Sequence, residues 1–141
     1  MHKKAIKGKT FIGRFNIGDD LLLSLETFCR KKKIVSGIFW LIGAVQNIKL
    51  GYYDQRYQKY IQCLSMNKKF EISSCQGNIS MKGKDLSVHA HITVSDLKGK
   101  TYGGHLLNGT KIFACEFFLQ ELKNTSLIRS KDFKTGLPLW K

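Results

Sequence analysis

Three of the four histidines in this 141-residue chain, His89, His91 and His105, fall within seventeen residues. Around the first two the sequence alternates, with Val88, Ala90 and Ile92 on one side and Ser87, His89, His91 and Thr93 on the other. That is the pattern of a strand with one buried face. Positions i and i+2 of a strand share a face about 6.7 Å apart, so two imidazoles placed there can converge on one ion. His105 follows the turn-forming stretch Leu97-Lys98-Gly99-Lys100, which would fold the chain back as the neighbouring strand. Gly103 and Gly104, just before it, permit unusual backbone shapes and close backbone approach. Three neutral imidazoles with a fourth position open form a catalytic zinc ligand set, in which the ion activates a bound water or polarises a carbonyl. H-x-H alone is equally compatible with a hydrogen-bonded polar groove, and His105 with a turn cap far from the pair.

The acids nearest these histidines in sequence are Glu71, Asp96 and Glu116. Glu116 interrupts the apolar run Ile112 to Leu119, and a carboxylate buried there needs a partner. A structural ion pair meets that need as well as a ligating histidine or a metal-bound water does. The four cysteines, Cys29, Cys63, Cys75 and Cys115, form no C-x-x-C pair and show no zinc-knuckle or disulfide-framework spacing. They read as reduced thiols of a cytoplasmic protein. The charged N-terminus leads into no apolar stretch, so it is no secretory signal, and the longest apolar run, Ile38 to Val45, is too short to span a bilayer. The expectation is a soluble protein with no membrane partner.

The elements that must position these residues are mostly strands. Ala5 to Asn16 alternates loosely and reads as one. Asp19 or Asp20 then caps the one clear helix, with Leu21, Leu25, Phe28 and Cys29 on its apolar face and Arg30 to Lys33 at its negative end. Ile34 to Leu50, Tyr57 to Leu64, Lys69 to Cys75, Gly77 to Met81 and Leu86 to Val94 read as strand. Ile112 to Leu122 is apolar throughout, a buried strand or a helix, and periodicity does not separate them. Leu139 or Trp140 is expected to dock on the body. One helix with many strands, at a length typical of one domain (residues 1–141), indicates an α+β fold around a strongly curved, mixed or antiparallel sheet.

Formal net charge is +14, from 24 Lys+Arg against 10 Asp+Glu. Such a field favours polyanions. Only four of the basic residues are arginines (Arg14, Arg30, Arg56 and Arg129), so lysine dominates. Base-edge readout leans on the arginine fork, whereas lysine gives diffuse, salt-sensitive attraction. The charge is compatible with non-specific nucleic-acid contact without sequence readout, and equally with lysines that merely solvate the surface.

The string His89-Ala90-His91, the Gly103-Gly104-His105-Leu106 segment and Glu116 together resemble the signature of PPC domains, the plant and prokaryote conserved domain. Gly43-Ala44, Phe70-Glu71-Ile72 followed by Gly77-Asn78-Ile79, Arg14 after a glycine, the helix at Asp19, and Asp132, Thr135 and Gly136 extend the similarity from about residue 5 to 140. The resemblance implies a curved antiparallel sheet, a homotrimer, and kinship of fold with acetolactate decarboxylase and an ester-hydrolase-like group. It also implies zinc, or a similar divalent metal, at His89, His91 and His105. In plant members DNA contact is carried largely by a separate Arg-Gly-Arg-Pro hook, which this chain lacks, Pro138 being its sole proline. Two functions follow as expectations. The first is a stand-alone, trimeric metal-binding module with a DNA-binding or regulatory role. The second is a small zinc-dependent hydrolase or decarboxylase of a small-molecule ester or carboxylate. In that second reading Glu71 or Glu116 is the acid–base partner and Arg14 the carboxylate anchor, provided the fold brings them near.

Overall fold

The computed structural model describes residues 2–141. In chain order the elements are β1 (Ile6–Phe15), α1 (Leu21–Lys32), β2 (Gly37–Val45), β3 (Ile48–Asp54), β4 (Lys59–Met66), β5 (Phe70–Lys82), β6 (Asp85–Ser95), β7 (Thr101–Leu106), β8 (Ile112–Lys123), β9 (Ile128–Lys131) and β10 (Pro138–Trp140). The main path of the sheet runs β1-β8-β2-β5-β6-β7-β3-β4, antiparallel at every step. The tail adds a branch in which β9 pairs in parallel with β5, and β10 pairs antiparallel with β9. This is a curved, mostly antiparallel α+β sheet that does not close on itself.

Alternation explains which face is buried. In β2, Phe39 and Leu41 are buried while Trp40 and Ile42 are exposed. The run Ile38 to Ile42 therefore supplies a core face and a surface face at once. The buried side, with Ile72, Ile79, Ile92, Leu106 and Leu119, forms one core with Leu21, Leu25 and Cys29 of α1. The ring of Phe28 from the helix meets those of Phe11 and Phe117 edge-on, with centroids 5.4 Å and 5.0 Å away. The ambiguous run after Ile112 is a strand: Ile112, Cys115, Phe117 and Leu119 are buried and Glu116 and Phe118 are not. A helix would have spread its apolar residues at a period of 3.6 rather than 2.

Asp20 is the helix cap. Its Oδ1 accepts from the backbone N–H groups of Leu22 and Leu23, both at 3.1 Å, and its Oδ2 from that of Gly109. Lys33 closes the other end in the left-handed region at φ 55°. Two sequence boundaries are revised. Ile34 to Leu50 is split by a turn into β2 and β3, and the two segments expected between Lys69 and Met81 are one strand, β5. A register shift between Ile72 and Ser74 lets β5 bend without breaking.

Candidate metal centre

The antiparallel register assembles the site. One cross-strand row runs Ile12 (β1), Phe118 (β8), Trp40 (β2), Gln76 (β5), His91 (β6), His105 (β7) and Gly51 (β3). Directly opposed residues in a sheet project from the same face. His91 and His105 are therefore neighbours on the face away from the core, and His89 joins them from two positions along β6. The row is apolar at one end and imidazole at the other.

One nitrogen from each of His89, His91 and His105 lies within 4.8 Å of the other two. Ring centroids are 5.1 Å apart for His89 and His91, 5.0 Å for His89 and His105, and 5.6 Å for His91 and His105. His89 and His105 are half-buried, and His91 is exposed at the rim. His89 Nε2 and His105 Nδ1 are buried with no hydrogen-bond partner among the described residues. Two buried ring nitrogens without a partner are costly in a protein unless something occupies the space beside them. Burial first, then His105 and Arg129, hold the His89 imidazole down at about 4. Burial and His91 lower His105 in the same direction. Both rings are thus neutral near pH 7, the form in which imidazole binds metal. This donor set fits a divalent ion of the zinc class, which would be held by His89, His91 and His105 and would supply Lewis acidity.

The surroundings are built by close approach. A Cβ on Gly77 would lie 2.2 Å from the carbonyl oxygen of His89 and 2.5 Å from Cζ of Phe39, so only glycine fits beside the H-x-H strand. Gly103 and Gly104 have no positive φ either, and their contribution is likewise space: a Cβ on Gly104 would lie 3.0 Å from the carbonyl oxygen of Gly51. Tyr60 of β4 places its ring 4.6 Å from that of His105, across the side-chain-free Gly51. Ile38, Phe39, Trp40, Gln76, Asn78 and Trp140 border an open recess of about 460 Å³ next to His89 and His91.

The acids and Arg14 do not join the histidines. Glu71 lies opposite Ser95 in register, four residues along β6 from His91, a span of about 13 Å. Glu116 is exposed rather than buried. It pairs in register with Arg14 and Ile42 and lines a separate recess with them. The sequence reading missed Arg129. Its Nε donates to Ser80 Oγ at 2.8 Å, Nη1 to the Pro138 carbonyl at 2.9 Å and Nη2 to Asn78 Oδ1 at 2.7 Å. Its Cζ lies 5.5 Å from the centre of the Trp140 ring, so the tail does dock, through Trp140. No spacing in the sequence announces Arg129, because the parallel pairing of β9 with β5 delivers it. The free cysteines are remote from any metal role, and burial pushes the thiols of Cys29, Cys75 and Cys115 up to about 12.

A curved open sheet carrying an H-x-H strand beside a histidine-bearing partner strand defines a class of small β-rich domain. A profile of the Plants and Prokaryotes Conserved (PCC) domain matches residues 2–123, and the chain belongs to that family. It is similar to a metal-containing protein from Archaeoglobus fulgidus, with 36% identity and TM-score 0.92 over 98% of this chain and 96% of that one. It is similar also to a plant- and prokaryote-conserved protein from Pyrococcus horikoshii, with 34% identity and TM-score 0.93 over 100% and 96%. A protein from Bacteroides thetaiotaomicron, described as a candidate DNA binder, shares 27% identity at TM-score 0.85 over 97% and 96%. Among curated sequences, the bifunctional protein GlmU of a Synechococcus species is 30% identical over 121 residues, 84% of this chain but 18% of that protein. The chain thus spans less than a fifth of the curated relatives it matches.

Proposed function

We propose that residues 1–141 act as one metal-binding module of the PPC type, in which His89, His91 and His105 hold a single divalent ion, zinc first among candidates. The observation that carries this reading is the convergence of three imidazoles with two buried, unpartnered nitrogens. The similarity to a metal-containing protein supports it. Copies of the chain assemble as a trimer in this reading, as the family resemblance implies. The surface face of β1, β8 and β2 suits such an interface: Ile12 is 84% exposed and Ile42 60%, with Phe118 beside them. The excess of lysine adds salt-sensitive contact with nucleic acid, in keeping with the description of a relative as a candidate DNA binder. The role is regulatory, in the cytoplasm. No helix among the described residues is long and apolar enough to cross a membrane.

A second reading, a small zinc-dependent hydrolase or decarboxylase, is favoured by the recess beside His89 and His91. In that case neither Glu71, Glu116 nor Arg14 is placed to assist within one chain.

The deciding experiment is elemental mass spectrometry combined with light scattering on untagged, native-purified protein, with His91→Ala in parallel. One ion per chain in a particle of three-chain mass, the ion lost in the variant, is expected. Metal-free protein that takes up none on addition overturns the metal reading, and a monomeric mass overturns the trimer.

A further inference from the structure

The recess beside the histidines is lined by no acidic residue. Ile38, Trp40 and Trp140 form its apolar walls, while Gln76 and Asn78 accompany His89 and His91 as its polar groups. Arg129 stands behind Asn78 and Trp140, and its hydrogen-bond acceptors are a hydroxyl, an amide oxygen and a backbone carbonyl, with no carboxylate among them. A divalent ion on three neutral imidazoles would add two further positive charges that no side chain lining the recess offsets. A half-buried excess of one sign draws in a counter-ion.

Arg129 also decides which atom Asn78 offers. Because the guanidinium donates to Asn78 Oδ1, the amide is oriented, and its Nδ2 is left as a donor. Among the described residues nothing accepts from Asn78 Nδ2, and the Gln76 side chain, two residues back on the same face of β5, has no partner either. Two side-chain amides with donors to spare, between aromatic walls, suit a planar, singly charged acceptor attached to an apolar body.

We propose that this recess binds a small carboxylate with an apolar or aromatic body. The carboxylate oxygens accept from the Asn78 and Gln76 amides, in the field of Arg129 and of the ion held by His89, His91 and His105. The body packs against Trp40 and Trp140. Arg129 is a positioning residue here: it orients Asn78 and supplies charge. The proposal rests on the metal reading above and names the ligand class for the same site.

The test is calorimetric titration of zinc-loaded protein with sodium benzoate, with neutral benzamide as control and zinc content measured on every sample. Benzoate should bind, and benzamide, equal in shape but uncharged, should bind at least about tenfold more weakly. Asn78→Asp, nearly isosteric and facing Arg129, should fold, keep its zinc and lose benzoate affinity at least about tenfold. Arg129→Lys keeps the charge but not the fork that orients Asn78, and should weaken benzoate while zinc is retained. If that variant does not fold, Asn78→Asp decides alone. Zinc-loaded protein that ignores benzoate, takes benzamide equally well, or binds benzoate unchanged in Asn78→Asp overturns the proposal. Protein that takes up no zinc overturns the metal reading and this inference with it, and the zinc measurement tells that failure from the others.

Discussion

An imidazole is useful to a metal only when it is neutral, and the fold enforces that condition on two of the three histidines. His89 and His105 are held neutral by burial and by the positive groups around them, whereas His91 is open to solvent. The metal-free protein should therefore carry a pH dependence that belongs to His89. Its folded value near 4 lies below the ordinary 6.5, so the unfolded chain binds the proton first as the solution is acidified. Stability is full above pH 6.5 and falls as the pH drops from 6.5 towards 4. For a half-buried ring the loss is on the order of 1–2 kcal/mol. Chemical denaturation of chelator-treated protein at pH 7 and pH 4.5 measures it, with His89→Asn as the comparison. The variant should lose less on acidification than the wild type. Equal losses would mean that His105, lowered in the same direction, and the carboxylates account for the whole effect.

The site depends on elements that lie far apart in sequence, and Asp20 shows how one short side chain can join them. Its Oδ1 caps α1 at Leu22 and Leu23, and its Oδ2 holds the loop at Gly109. Asp20→Ala removes a helix cap and leaves the half-buried Gly109 N–H without its partner, a combined cost of about 2–3 kcal/mol. Asp20→Asn keeps a capping oxygen but offers Gly109 an amide that cannot serve both ends, and should cost about half as much. Thermal unfolding of the two variants checks the order; a milder effect in Asp20→Ala would mean the loop contact is not formed. The cap, the helix and the H-x-H strand were all legible in the sequence, because each is a local pattern of residue type and spacing. The GGH strand was legible as the partner of H-x-H for the same reason, since a five-residue turn joins the two. What spacing could not show was the rest of the row. That Gln76 lies beside His91 and Trp40 beyond it, while Glu71 falls four residues short, follows from strand registers set by long-range pairing and by the shift after Ile72. Arg129 was hidden for a stronger reason. Only the parallel pairing of Lys82 with Arg129 brings the tail to the site, and nothing about Ile128–Lys131 by itself points there. Glu116 misled because its apolar run was read as buried throughout, when alternate residues face solvent.

At the scale of the whole molecule the governing quantity is charge. A net +14 carried mostly by lysine sets up attraction to phosphate without the arginine forks that read bases. The charge is unevenly placed. Arg30, Lys31, Lys32 and Lys33 crowd the end of α1, and Arg30 and Lys33 share the border of a shallow recess with Lys84 from the turn between β5 and β6. The face bearing the apolar ends of β1, β8 and β2 holds only the opposed Arg14 and Glu116 in its recess. Binding of duplex DNA should accordingly run through the lysine-rich corner and leave the apolar face to other copies of the chain. Each phosphate neutralised contributes about −0.9 to the slope of log K against log salt. A footprint of about four phosphates then loses on the order of 100-fold in affinity between roughly 50 and 200 mM salt. Fluorescence anisotropy with labelled duplexes of unrelated sequence measures the slope. Lys33→Gln combined with Lys84→Gln should flatten it by about two phosphate equivalents with at most a small drop in melting temperature, because both side chains lie in solvent and neither change sets a negative charge at the C-terminal end of α1. Affinity that ignores salt, or that favours one duplex over another by more than about tenfold, would instead require base contacts of a kind that four scattered arginines do not supply.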